Sequence, residues 1–217
     1  MTRNKTPSAG PTPVISSGIF RGMKLATPIG DKTRPTSSKA RAAALNSVQG
    51  WLEGANFCDL FAGSGAVGIE ALSRGACECT FAESAPAALV ALRRNLAECE
   101  RRSLAQTQTP PVIRLIVKDI RKYLTESQGM ANAASIPRNE RRFDIIWADP
   151  PYALAAGLLP DLLAFADTRL ADGGVLLFET GGPVDHGAVT GLNSLSFKSE
   201  KKYGGTYITS WQKTSDG

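Results

Sequence analysis

Histidine is almost absent from this chain of 217 residues: His186 is the only one. A Ser-His or Cys-His nucleophilic pair would have to use it, and it sits in a Gly-rich stretch where a solvated side chain is the expectation. Cysteine is also scarce, with four residues at 58, 77, 79 and 99. That does not make a disulfide framework in a chain of this size. Cys77 and Cys79 fall on one face of an expected strand without a second ligand pair, so small buried thiols are expected and a metal site is not. No apolar run approaches the ~20 residues of a membrane span. Met1 to Pro13 is polar with no apolar core, so no secretory leader is expected and the chain reads as cytoplasmic. What remains is an ordinary globular composition, 42% hydrophobic and 21% charged, long enough for one domain with a sizeable core.

Acidic residues are nearly missing from the first 50 positions. Arg3, Lys5, Arg21, Lys24, Lys32, Arg34, Lys39 and Arg41 stand there against Asp31 alone, eight against one, while the whole chain carries +5. Residues 51–217 are therefore slightly acidic. A basic segment on an acidic body points to a polyanion-binding appendage over residues 14–50, preceded by a disordered tail at 1–13. Residues 51–217 form the expected main domain.

Hydrophobic patterning gives alternating strands and helices. A short hairpin is expected across Arg21-Gly22, between Val14–Phe20 and Met23–Ala26. A helix capped by Thr36 or Ser37 then runs to about Gly50. Core strands are expected at Asn56–Phe61, Cys77–Ala82, Val112–Val117, Phe143–Ala148 and Val175–Glu179, with helices between them. Two more strands, Ser194–Lys198 and Thr206–Trp211, follow without a helix. The pattern predicts an α/β Rossmann-like sheet of seven strands, mostly parallel, with one antiparallel strand near the C-terminus. Residues 127–142 read as an insertion.

Two stretches carry chemistry. The first is Asp59-Leu60-Phe61-Ala62-Gly63-Ser64-Gly65-Ala66-Val67-Gly68, a strand, a glycine turn and a helix start that match G-x-G-x-x-G. Glu83 ends the next strand, where an acidic side chain can accept from ribose hydroxyls. Asp119 ends the third strand, where an adenine amine would find an acceptor. A dinucleotide and S-adenosylmethionine both suit such a loop. The acidic rim of Asp59, Glu83, Asp119 and Asp149 favours a cofactor bearing a sulfonium and an ammonium over one bearing phosphates. The second stretch is Asp149-Pro150-Pro151-Tyr152. The prolines end the fourth strand and leave a carboxylate, a carbonyl and an aromatic ring together at its carboxyl end. That set suits a planar base with an exocyclic amine: Tyr152 stacks while Asp149 and the Pro150 carbonyl accept N–H bonds.

With both stretches in view, the sequence resembles class I S-adenosylmethionine-dependent methyltransferases, and more closely the bacterial family that methylates N2 of a guanine in 16S ribosomal RNA (the RsmD type). The resemblance spans roughly residues 14–213. It is carried by Arg21-Gly22-Met23-Lys24-Leu25, Pro28, Thr33-Arg34-Pro35-Thr36 and Arg41, by the glycine loop with Glu70 and Arg74-Gly75-Ala76, by Asp149-Pro150-Pro151-Tyr152, and by Lys202-Tyr203-Gly204 with Thr206. Ala42-Ala43-Ala44-Leu45-Asn46 departs from the family's usual acidic and Phe-containing pattern. The resemblance implies S-adenosylmethionine as cofactor, held by Asp59, Phe61, Gly63, Gly65, Gly68, Glu83 and Asp119. It implies Asp149, Pro150 and Tyr152 as the catalytic set, and Arg21, Lys24, Arg34, Lys39 and Arg41 as RNA contacts. The expected partner is 16S rRNA or a small-subunit assembly intermediate, met by a monomer. Methylation of adenine N6 or cytosine N4 in DNA or RNA, and a non-catalytic RNA assembly factor that binds the cofactor, are the alternatives. A nicotinamide oxidoreductase is disfavoured by Asp59.

Overall fold

A computed structural model describes residues 12–28, 38–106, 109–129, 142–185 and 194–214. Residues 1–11 of the expected tail, Thr33 to Thr36 with Arg34, residues 130–141 of the expected insertion, and His186 lie outside the described residues. The elements in chain order are α1 (Ser38–Ser47), α2 (Gln49–Leu52), β1 (Asn56–Leu60), α3 (Ala66–Ser73), β2 (Glu78–Glu83), α4 (Pro86–Gln106), β3 (Val112–Val117), α5 (Ile120–Gly129), β4 (Phe143–Ala148), α6 (Tyr152–Arg169), β5 (Leu170–Thr180), β6 (Leu195–Tyr203) and β7 (Thr206–Lys213).

The strands form one seven-stranded sheet in the order β3-β2-β1-β4-β5-β7-β6. The pairs from β3 through β5 are parallel, and β7 runs antiparallel to both β5 and β6. β1 and β2 are buried along their whole length, as strands covered on both faces are, and the burial takes in polar residues, Asn56 and Asp59 in β1 and Glu78, Thr80 and Glu83 in β2. The side-chain period of two still sorts the faces. Phe57, Phe81, Ile145 and Trp147 enter one core with α3 and α4, while Cys58, Leu60, Ile146 and Ala148 enter the other with α5 and α6. β5 begins earlier than its apolar run, at Leu170. Gly173 within it takes φ +77°, and the pairing to β4 shifts register between Phe143 and Ile145. The Asp172-Gly173-Gly174 turn is thus an irregularity inside the strand. The outer strands β3 and β6 carry Arg114, Lys198, Lys201 and Lys202, charges that discourage pairing with another chain.

The N-terminal segment is a correction to the appendage expectation. Only one bridge, Val14 to Lys24, marks the hairpin, and its apolar side chains Ile15, Phe20, Met23 and Leu25 are buried in the α3–α4 core. Glu70 of α3, fully buried, fixes it there. Its carboxylate accepts from the Ser16 and Ser17 backbone N–H groups at 2.9 and 3.1 Å and from the Ser16 hydroxyl at 2.6 Å. Ser73, one turn on, accepts from Phe20 N–H through its hydroxyl and from Ile19 N–H through its carbonyl, both at 2.8 Å. Gly18 is required at this contact, since a Cβ there would stand 1.6 Å from the Ser73 carbonyl oxygen.

Arg41 is the second correction. It is 2% exposed, donates to the Val14 carbonyl at 2.7 Å and lies 3.6 Å from Glu70. Burial pulls its pKa below the ordinary value, and the Glu70 charge opposes that pull. Lys39 is exposed. Two positions on a helix are about 200° apart, so Lys39 and Arg41 of α1 cannot share a surface. Arg41 places the segment and is not available to an RNA backbone. Glu70→Ala removes the partner of two buried guanidinium groups, Arg41 and Arg74. The expected loss is about 3–5 kcal/mol by urea denaturation; a loss under about 1 kcal/mol would show the network to be dispensable.

Candidate active site

β1 and β4 are adjacent, with Leu60 opposite Ala148. From β1 the chain proceeds to β2 and β3 on one side; from β4 it proceeds to β5 on the other. This reversal opens a crevice at the carboxyl ends of the two strands. Phe61 and Asp149, the first residues beyond them, flank it on strands ~4.8 Å apart. Phe61 is the one non-glycine residue of positive φ among the described residues, at +62°. Strained backbone of this kind costs about 1–3 kcal/mol, and here it turns the chain sharply from β1 into the glycine loop.

The three loop glycines do different work. Gly63, at φ +56°, faces open space: a Cβ there would meet nothing closer than the Phe61 carbonyl at 4.0 Å. Gly65 and Gly68 are packing positions. A Cβ would come within 2.6 Å of Leu92 at Gly65, and within 2.4 Å of the Phe81 ring at Gly68. They let α3 approach β2 and α4 closely and do not themselves border the open crevice.

The expected carboxylates are all near the rim, but not equally. Asp59 is 1% exposed and accepts from the Gly68 N–H at 2.9 Å. It clamps the loop from beneath, almost closed to solvent. Glu83 accepts from Gly63 N–H at 2.8 Å through one oxygen, and from Ser84 and Ala85 N–H at 2.7 and 2.8 Å through the other. A carboxylate offers about four lone-pair sites, so one further donor fits without displacing a backbone bond. Asp119, two residues past the end of β3, accepts from the Arg121 N–H at 2.9 Å and pairs with its guanidinium at 3.3 Å. The Arg121 hydrogen bond is the main reason its pKa falls below the ordinary value.

Asp149 is half-buried, and Pro150 behind it is buried. Pro151 caps α6, its carbonyl accepting from Leu154 N–H at 2.8 Å. Tyr152 opens the helix with its ring 54% exposed. Two contacts set this ring. Its hydroxyl lies 3.4 Å from the Thr206 hydroxyl at the start of β7. Gly181, just past β5, lies under it: a Cβ there would come within 2.6 Å of Tyr152 Cδ2. Thr206 is part of the Lys202-Tyr203-Gly204 pattern that carries the family resemblance, whereas Gly181 has no signal in the sequence beyond being glycine at a strand end.

Of the basic residues, Arg21, Lys24 and Lys39 are exposed. The crevice itself is acidic. Burial pushes the Asp59 carboxyl up to about 7; the Gly68 N–H bond opposes this, and the Asp149 and Glu83 charges add to it. Among the described residues, neither Asp59 nor Glu83 has an ion-pair partner. Clustered carboxylates beneath an open glycine turn fit a cationic cofactor and would repel a pyrophosphate.

Two experiments follow from this geometry. Gly181→Ala has no conformational penalty from φ, so it tests the Tyr152 seat by steric displacement alone. It should leave cofactor affinity unchanged and weaken productive binding of a stacked base by about 1–3 kcal/mol, read as kcat/KM; an unchanged kcat/KM would show that the ring position is immaterial. Asp59 has a folded-state pKa above its ordinary value, so its protonated form is favoured on folding. Its contribution is complete below about pH 4 and is lost as pH rises through about 7. Asp59→Asn keeps an oxygen for Gly68 and should flatten the fall in denaturation free energy between pH 4 and 7; an unchanged slope would refute the assignment.

A family model described as "Conserved hypothetical protein 95" matches residues 14–212. YlbH of Bacillus subtilis is 32% identical over 138 residues, covering 64% of this chain and 66% of that protein. Ribosomal RNA small subunit methyltransferase D of Escherichia coli K12 is 28% identical over 205 residues, covering 94% of this chain and 91% of that protein. The solved structure of yhhF from Escherichia coli has a TM-score of 0.69 at 26% identity, covering 94% of this chain and 99% of that one.

Proposed function

The chain belongs to the Conserved hypothetical protein 95 family, the RsmD type of S-adenosylmethionine-dependent methyltransferase, and from that premise we propose that it transfers a methyl group to the exocyclic N2 amine of a guanine in small-subunit (16S) ribosomal RNA. The observation that carries the reading is the juxtaposition of Asp149 and an exposed Tyr152 with the glycine loop at the β1–β4 switch point. S-adenosylmethionine, when bound, supplies an electrophilic sulfonium methyl. Gly63, Glu83, Phe61 and Asp119 would hold it, with Asp59 acting on the loop from below.

The chain's own residues prepare the nucleophile. An exocyclic amine is weak because its lone pair is delocalised into the ring. Asp149 and the Pro150 carbonyl accept its two N–H bonds, which favours a pyramidal nitrogen with the lone pair aimed out of the ring plane. Positioning and electrostatics of this kind lower a barrier by several kcal/mol. Once methylated, the nitrogen is cationic and acidic, and Asp149 can take its proton. Tyr152 stacks on the base, which must be flipped out or already unpaired to reach the crevice.

Arg21, Lys24 and Lys39 are exposed on the N-terminal segment and supply phosphate contacts, so RNA binding should weaken as salt rises. Arg34 is assigned with them from the sequence. The substrate is 16S rRNA, free or within a small-subunit assembly intermediate, and the enzyme acts as a cytoplasmic monomer. Among the described residues, no helix is long and apolar enough to cross a membrane.

The test is methyl transfer from labelled S-adenosylmethionine to unmodified small-subunit rRNA, free and protein-bound, with the modified nucleoside identified. N2-methylguanine is the expected product; N6-methyladenine or N4-methylcytosine would replace the guanine assignment. Asp149→Ala should abolish turnover while cofactor affinity stays within about twofold. Full activity in that variant would sink the mechanism.

A further inference from the structure

Asn95 lies in the middle of α4 and is 3% exposed. A buried asparagine inside a helix needs partners that make up for its desolvation, and here they come from two separate parts of the chain. Its amide nitrogen donates to the Ala26 carbonyl at 2.9 Å and to the Ser64 carbonyl at 2.8 Å, and its amide oxygen accepts from the Ala26 N–H at 2.8 Å. Ala26 belongs to the N-terminal segment, two residues after the exposed Lys24. Ser64 is the middle residue of Gly63-Ser64-Gly65. Both amide hydrogens of Asn95 are thus engaged, one on each functional segment. Leu92, one turn earlier on α4, is the side chain that a Cβ at Gly65 would strike, at 2.6 Å. One face of α4 therefore backs the cofactor loop and grips the basic segment together.

We infer that Asn95 is a positioning residue that couples cofactor binding to RNA binding. It touches neither ligand. A cofactor that fixes the Gly63–Gly65 turn fixes the Ser64 carbonyl, hence the Asn95 amide, hence Ala26 and the cations around it. RNA then meets a segment already placed. By linkage, bound RNA tightens the cofactor by the same factor. This rests on the methyltransferase reading proposed above, since it needs both ligands.

The experiment measures the affinity of a small-subunit rRNA fragment by fluorescence anisotropy, with and without saturating S-adenosylhomocysteine, and the affinity of S-adenosylhomocysteine with and without the fragment. In the unmodified protein each ligand should tighten the other by about fivefold or more. Asn95→Leu and Asn95→Asp should each bind both ligands singly within a few-fold of normal, with the coupling factor reduced to about one. The Asp variant keeps the size and the acceptor for Ala26 N–H but loses both donors, so it serves if the Leu variant does not fold. Hydrogen exchange at the Ala26 amide gives a second readout: S-adenosylhomocysteine should slow it in the unmodified protein and not in the variants. Failure of the unmodified protein to bind S-adenosylhomocysteine, or to bind either the fragment or a small-subunit assembly intermediate in its presence, would overturn the methyltransferase reading and this inference together. Two normal single affinities with no mutual effect, or coupling that survives in both variants, would overturn this inference alone.

Discussion

The adjacency of β1 and β4 is the constraint on which everything else depends. Two parallel neighbours whose chains leave in opposite directions cannot both be covered at their carboxyl ends, and the gap becomes the crevice. The glycine loop leaves from one strand and Asp149-Pro150-Pro151-Tyr152 from the other. Each motif alone is a turn. Side by side they border one crevice, where the proposed function puts a methyl donor and an amine within reach of one another. The prolines matter for a mechanical reason: they stop β4 at Ala148 and start α6 at Tyr152, leaving no length over which Asp149 could shift along the strand.

Around that crevice the molecule tolerates an unfavourable charge arrangement. Asp59, Glu83 and Asp149 repel one another, and Asp59 is held so deep that its carboxyl rises to about 7. Backbone N–H groups keep the arrangement standing: Gly68 on Asp59, and Gly63, Ser84 and Ala85 on Glu83. The same bonds that stabilise the carboxylates shape the loop. A site complementary to a cation is thus built without a basic side chain paired to Asp59 or Glu83 among the described residues.

Much of this was legible in the sequence because it is local. Strand positions follow from apolar runs bounded by glycine and proline. The placement of Asp149 follows from two prolines, and the loop follows from glycine spacing. Seven strands with one antiparallel member near the end is what the sheet contains. The misses are long-range. Charge counting assigned Arg41 to the surface, although a helix turns it away from Lys39 and toward Glu70. Glu70 itself was a hint, an acid within the apolar run Ala66-Val67-Gly68-Ile69-Glu70-Ala71-Leu72 that could only be buried if something met it. Asn95 pairs with Ala26 across 69 positions, and no spacing rule reaches that far. Asp59 is legible as a charge, whereas its burial under the loop depends on packing that the sequence does not display.

The cations of the N-terminal segment show why charge alone does not specify function. Arg21, Lys24 and Lys39 in solvent act through a screened, salt-dependent field that any phosphate backbone can answer. Arg41 in the interior acts through two fixed neighbours, Val14 and Glu70, and contributes position. Affinity without position would draw RNA to the surface in many registers, most of them unable to deliver a base to Asp149. Position without exposed cations would leave the crevice, acidic as it is, repelling its own substrate. In the proposed function the exposed residues draw the polyanion in, and the buried network of Glu70, Arg41, Ser73 and Asn95 fixes where the segment that carries Arg21 and Lys24 sits relative to the glycine loop.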